Sequence, residues 1–141
     1  MTLADAGWAA RVHGLSFPAG EAWNEAAFHD LLSLPGVFGY GFGRSALLLA
    51  RSVLDECEIL TIAVTPNSRR QGLARRLLAR LIEDTAAVAV TRIFLEVAPG
   101  NTAAVALYRS YDFAPMGSRP DYYGAGQPAL RMGRVRGIGP G

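Results

Sequence analysis

The stretch from Ile59 to Leu78, ILTIAVTPNSRRQGLARRLL, constrains this chain more than any other. A short apolar, β-branched run ends at Val64, and Thr65, Pro66 and Asn67 break it. The segment Ser68-Arg69-Arg70-Gln71-Gly72-Leu73-Ala74-Arg75 then opens into an amphipathic pattern. An apolar run, a breaker and a helical period, in that order, predict strand, turn and helix. A helix start leaves its first N–H groups without partners, and a turn in front of it can aim several of them at one point. Phosphate suits such a point, and the helix dipole adds to the attraction. Gly72 lets backbone approach a ligand closely, and Ala74 is nearly as small. Arg69, Arg70 and Arg75 can add charge-assisted bonds. The same residues also suit a basic, solvated helix start, so the rest of the chain must supply a reaction if this turn holds a substrate.

With 141 residues, half of them apolar, the chain has the size of one domain with a core of its own. Residues 1–134 read as that domain, and residues 135–141, glycine-rich and basic, as a flexible tail. The formal charge is only +2, although the pI is near 9.0. The arginines gather around the turn and near the C-terminus rather than in a stripe, which argues against a nucleic-acid binder. Cys57 is the single cysteine, so an intrachain disulfide is excluded, as suits a reducing compartment. The N-terminus lacks the pattern of a signal peptide, and the longest apolar run, Ala46 to Ala50, is too short to span a bilayer. The expectation is a cytoplasmic protein without a membrane partner, a monomer or weak dimer. His13 and His29 are isolated, no cysteine–histidine spacing suggests a metal, and no nucleophilic triad is visible.

Along the chain, a first strand is expected around Ala10–Leu15, and a loop at Phe17–Gly20. Glu21 to Leu34 carries Trp23, Ala27, Leu31 and Leu34 at helical spacing and stops at Pro35-Gly36. Val37 to Gly43 suits a strand weakened by three glycines; Ala46 to Val53 has no clear period and fits a strand or a helix, of which the strand is taken. Strands at Cys57–Val64 and Arg92–Val97 flank a helix from Gly72 to Ala87. Asn101 caps a helix from Thr102 to Ser110. Phe113–Met116 and Ala129–Met132 read as two last strands, separated by a polar, aromatic loop from Ser118 to Pro128. The order β-α-β-β-β-α-β-α-β-β predicts an α+β fold, a mixed sheet layered between helices.

Two familiar phosphate motifs are excluded. No G-x-x-x-x-G-K-S/T is present, and Gly39-Tyr40-Gly41-Phe42-Gly43-Arg44 puts Arg44 where a dinucleotide fingerprint needs its third glycine. By contrast, Arg69-Arg70-Gln71-Gly72-Leu73-Ala74 resembles the Q/R-x-x-G-x-G/A turn that holds the acyl-CoA pyrophosphate in the GNAT N-acetyltransferases. A second block, Phe94-Leu95-Glu96-Val97 followed by Asn101-Thr102-Ala103-Ala104-Val105-Ala106-Leu107-Tyr108 and Phe113, resembles that family's L-E-V…N-x-x-A-x-x-L-Y-x-x-x-G-F segment. Phe17-Pro18, Trp23, Asp55-Glu56, Leu60–Val64 and Arg119-Pro120-Asp121-Tyr122-Tyr123 are most similar to the ribosomal-protein-alanine N-acetyltransferases of the RimI type. The resemblance implies a mostly antiparallel sheet with splayed central strands, acetyl-CoA as cosubstrate, and a protein N-terminus as acceptor.

Acetyl transfer to an amine needs a base, because a free α-amine has a pKa of about 7.7–8.0. It also needs a donor for the carbonyl oxygen and a proton for the leaving thiolate. Glu96 alternates with Leu95 and Val97 and is the candidate base; it could equally pair with Arg92 or an arginine of the turn. Tyr108 is the candidate acid, or a core tyrosine. The resemblance favours function for both and assigns CoA contact to Ile62, Ala63, Val64, Arg69, Arg70, Gln71, Gly72, Leu73, Ala74, Arg75, Asn101 and Tyr108. It places a backbone oxyanion donor near Ala63 or Val64. Phe17, Trp23, Glu56, Arg119, Tyr122 and Tyr123 are the expected acceptor-side residues. Asp112 stands where the family pattern has glycine, in a left-handed position that Asp tolerates at a modest cost. The leading reading is an acetyl-CoA-dependent N-terminal acetyltransferase working by direct transfer. An acetyltransferase for a small amine and a non-catalytic acyl-CoA sensor are the alternatives.

Overall fold

Three aliphatic runs pair in sequence as an antiparallel meander: β1 (Val37–Phe42), β2 (Ala46–Val53) and β3 (Glu56–Val64). The computed structural model describes residues 1–119 and 129–136. Within the meander, β2 is covered on both faces, and Ala46 to Ala50 are all fully buried. This explains its lack of period, because a strand with two buried faces reads as a continuous apolar run. Helix α3 (Leu73–Ala86) then carries the chain over to β4 (Arg92–Val97), which lies parallel to β3. Helix α4 (Thr102–Ser110) leads to the hairpin β5 (Ala114–Arg119) and β6 (Ala129–Val135). The sheet order is β1-β2-β3-β4-β6-β5, antiparallel except at β3/β4.

Two helices precede the sheet, α1 (Ala6–Ser16) and α2 (Glu25–Leu32). The strand expected at Ala10–Leu15 is therefore corrected to the second half of α1. Its buried residues Ala6, Ala9, Val12 and His13 recur at helical spacing, but two are alanines and one is a histidine. The helix expected from Glu21 begins only at Glu25, where Asn24 caps it by accepting the Ala27 N–H at 2.9 Å. Trp23 is thus in the segment before the helix. At the other end, β6 runs to Val135 and the Arg136 N–H donates to Thr91 O at 2.7 Å, so the ordered sheet passes the expected boundary at residue 134.

Helices α1 and α2 cover one face of the meander, with Phe28 and Val12 against Leu47, Leu49 and Ala63. Helices α3 and α4 cover the other face, with Leu77, Leu78, Leu81 and Tyr108 against Leu48, Cys57, Ile93, Leu95 and Met132. The glycines of β1 have a packing reason. A Cβ on Gly41 would lie 2.6 Å from the Trp8 ring, and one on Gly39 would lie 2.8 Å from Leu48 O. Gly41 lets the Trp8 ring of α1 rest on the strand, and Gly39 makes room for the neighbouring strand and Met1.

Two irregularities open the sheet. Strands β3 and β4 pair only through Glu56–Arg92, Cys57–Ile93 and Glu58–Phe94, and then part. In β3, Leu49 of β2 faces Thr61 while Ala50 faces Ile59, so Leu60 is the extra residue of a bulge. The bulge turns the strand: Ile59 faces α3 before it, whereas Ala63 faces α1 after it.

Candidate active site

Where β3 and β4 part, a cleft of about 510 Å³ forms. Its walls come from five parts of the chain. Helix α1 gives His13 and Ser16, the segment between α1 and α2 gives Phe17 and Trp23, β3 gives Leu60 to Ile62, β4 gives Glu96, and α4 with its cap gives Tyr108 and Asn101. A second cleft of about 330 Å³ lies between the turn before α3 and the outer side of α4, lined by Val64, Ser68–Arg70, Gly72–Arg75, Ala103, Ala106 and Leu107. The free edge of β3 from Ile62 to Val64 borders both.

The turn has the features a phosphate group requires. Gly72 caps α3 with φ +73°, and a Cβ there would meet no atom within 4 Å, so the space above it is open. Arg70 also has a left-handed φ of +65°. The arginines are partly occupied: Arg69 Nε donates to Val64 O at 3.2 Å, and Arg75 Nη1 to Ser110 Oγ at 3.3 Å. Both are held at the rim of the cleft. Gln71 is exposed and does not line it.

The edge of β3 supplies donors by alternation. The Thr65 N–H bonds back to Ser45 O beside β2 at 2.8 Å. In an antiparallel strand the direction of the N–H groups alternates, so those of Val64 and Ile62 face the parted edge. Ala63, expected beside CoA, is 3% exposed and packs under α1, and its N–H turns toward β2 by the same alternation. Ile62 and Val64 thus present their N–H groups at the parted edge, whereas Ala63 is a core residue.

Glu96 and Tyr108 both line the larger cleft. Glu96 pairs with Arg131 of β6, its Oε1 3.8 Å from Arg131 Nε, rather than with Arg92. The Arg131 guanidinium also lies over the Phe94 ring at 5.3 Å. Tyr108 is 8% exposed, its ring 5.8 Å from that of Phe113. Burial pushes its phenol up to about 12, so it is protonated at neutral pH. Asn101 caps α4 by accepting the Ala104 N–H at 3.2 Å. Asp112 has the expected left-handed φ, +66°.

Of the acceptor-side residues, Phe17 and Trp23 reach the cleft. Glu56 does not: it pairs with Arg92 at the closed end of the β3/β4 seam. Tyr122 and Tyr123 lie outside the described residues, and of Arg119 only the backbone is described. Cys57, fully buried with its thiol pushed up by burial, is shut away from the cleft.

Comparison with known proteins bears on this geometry. The model of the acetyltransferase (GNAT) family matches residues 46–113. The N-alpha-acetyltransferase RimI of Mycobacterium tuberculosis is 36% identical over 146 residues, covering 97% of this chain and 90% of that protein. The chain belongs to the GNAT acetyltransferase family. The [Ribosomal protein bS18]-alanine N-acetyltransferase of Escherichia coli is 42% identical over 79 residues, or 56% of this chain. In that match the chain spans about half the length of the relative, 53%. The crystal structure of the ribosomal-protein-S18-alanine N-acetyltransferase from Escherichia coli superposes with a TM-score of 0.84 at 29% identity, covering 96% of this chain and 90% of that one. The mixed sheet with parted central strands is thus the GNAT fold.

The structure adds residues that sequence reading does not single out. Arg131 meets Glu96 only through the β4/β6 register. Glu58, beside Phe94 on the neighbouring strand, has its carboxyl raised by burial and then by the charge of Glu96, against Arg131 and Arg51. His13, isolated in sequence, is buried at the cleft wall. No local pattern marks any of the three, because their partners lie on other elements.

Proposed function

We propose that this chain transfers the acetyl group of acetyl-CoA directly to the α-amine at a protein N-terminus. The observation that carries the reading is the convergence of Glu96, Tyr108 and the free edge of β3 on one cleft, beside a turn shaped for a phosphate. The turn at Ser68–Arg75 takes the pyrophosphate, with the first N–H groups of α3 and the arginines at its rim. The pantetheine arm follows the edge of β3 past Val64 and Ile62.

At the cleft, Glu96 takes the proton that makes the acceptor amine nucleophilic, directly or through a water. Arg131 stands beside it, its Nε 3.8 Å from Glu96 Oε1. An N–H from Ile62 or Val64 meets the carbonyl oxygen as negative charge builds. The new N–C bond forms as the C–S bond breaks. Tyr108 donates a hydrogen bond to the departing sulfur. A phenol near 12 does not stay ionised beside a thiol of about 8.5, so any proton it passes on is replaced at once. The products are the acetylated amine, the CoA thiol and one proton. No covalent acetyl-enzyme is involved.

Both relatives are similar to this chain; one is named an N-alpha-acetyltransferase, the other an N-acetyltransferase of an alanine of ribosomal protein bS18. That similarity supports an N-terminal acceptor, a ribosomal protein among the candidates. The test is mass-detected acetylation of a peptide panel that varies the first residue, with free and blocked α-amines, beside polyamines. Transfer to free N-termini alone is expected. Transfer to polyamines alone refutes the acceptor, and binding of CoA without turnover refutes the enzyme.

A further inference from the structure

One histidine stands where the two sides of the acceptor cleft meet. His13, in the last turns of α1, is 2% exposed. The Trp23 N–H donates to its Nδ1 at 3.0 Å, so Nδ1 bears no proton and Nε2 must bear one. The Nε2–H donates to Thr61 Oγ1 at 3.1 Å. Phe17 and Trp23 stack on the imidazole at centroid distances of 4.2 and 4.7 Å, and Phe28 meets it edge-on at 5.5 Å.

These contacts join two specific parts of the site. Phe17 and Trp23 form the cleft wall on the helix side. Thr61 adjoins the bulge that turns the edge of β3 toward the cleft. Helix α1 is held to the sheet separately, by Ala6, Ala9 and Val12 packed with Leu47, Leu49 and Ala63. The imidazole is therefore not what anchors the helix; what depends on it is the spacing between the wall and the bulge. With both nitrogens engaged and burial holding the ring neutral, His13 is no base for the reaction.

We propose that His13 is a positioning residue: it ties the Phe17–Trp23 wall to the β3 bulge and so fixes the width of the acceptor half of the cleft and the first residues it admits. The inference rests on the N-terminal acceptor assigned above. The turn proposed for the CoA pyrophosphate lies at α3, away from this link, and only the end of the pantetheine arm passes Ile62 beside Thr61, so peptide binding should respond more than CoA binding when the link is cut.

The test uses His13→Phe, which keeps a ring in the stack and loses both hydrogen bonds, and Thr61→Val, which removes only the acceptor. Thr61→Ser serves as the conservative control. In both disruptive variants the peptide KM should rise about tenfold, the weight of one misplaced hydrogen bond, and kcat/KM should vary less across first residues. The acetyl-CoA KM should stay within about twofold, and Thr61→Ser should behave as wild type. An unchanged peptide KM and selectivity, or an equal rise in both KM values, overturns the proposal. If His13→Phe fails to fold, Thr61→Val decides alone. Ring-nitrogen NMR shifts of the wild type give a readout independent of turnover: the Nε2–H tautomer is expected, and an Nδ1–H tautomer removes the link. If wild type acetylates no peptide while showing the Nε2–H tautomer, the acceptor assignment has failed and the link itself stands.

Discussion

Tyr108→Phe separates chemistry from folding more sharply than any other substitution in the site. Tyr108 is 8% exposed and its ring packs 5.8 Å from that of Phe113. Phenylalanine keeps the ring and that contact. Burial is the one cause of the raised phenol pKa, and no hydrogen bond to the hydroxyl forms among the described residues. Removing the oxygen breaks no internal bond, so stability should move by no more than about 0.5 kcal/mol. Turnover should behave differently. Loss of a positioned proton donor costs about 10²–10⁴ in rate, or about 3–5 kcal/mol of barrier. The assay pairs urea denaturation with steady-state acetylation of a free N-terminal peptide and a direct CoA titration. Near-wild-type turnover with unchanged stability would show that Tyr108 is a core tyrosine and refute the assignment. A large stability loss would show that the hydroxyl had an internal partner, and refute the premise.

Further outcomes are expected elsewhere. Glu96→Gln should lower turnover at neutral pH by about 10²–10⁴ in steady-state acetylation while leaving CoA affinity near wild type in direct titration. Asp112→Gly relieves a left-handed residue at φ +66° and should stabilise by about 0.5–1 kcal/mol in denaturant titration, with unchanged kinetics. Burial pushes the His13 pKa down from 6.5 to about 4, so the unfolded chain takes a proton before the folded one does. The resulting stability is present above pH 6.5 and is lost as pH falls toward 4, up to about 3 kcal/mol. The difference in stability between wild type and His13→Phe, measured at pH 7 and pH 4.5, should shrink accordingly; a constant difference would refute the buried neutral histidine.

The helical half of the site is legible in the sequence because its signals are local. Gly72, the amphipathic period after it and the Asn101 cap each act within a few residues, and the structure places them as expected. Most strands after Pro35 are legible for the same reason; β2 is the exception, because burial on both faces erases its period. The first helix is not legible: α1 buries small residues and one histidine, so its apolar stripe is faint and resembles a mixed strand. Glu56 shows the limit of position along a strand. It begins β3, one residue before the strand expected from Cys57, and parallel pairing with Arg92 places it at the closed end of the seam.

What the sequence by itself determined is the strand–turn–helix that can hold a pyrophosphate, and the pair Glu96 and Tyr108 at family spacing. Backbone hydrogen bonding, turn chemistry and helical period are short-range, so a few neighbouring residues suffice to specify them. Only the tertiary structure decided where β3 and β4 part, which N–H groups that parting exposes, and which charges face one another. The Glu96–Arg131 pair and the His13–Thr61 link join residues 35 and 48 positions apart. They depend on a bulge at Leu60 and on strand register, and a one-residue slip in either would turn these side chains to the opposite face. Register is settled by burial on both faces of the sheet at once, which no single segment of the chain encodes.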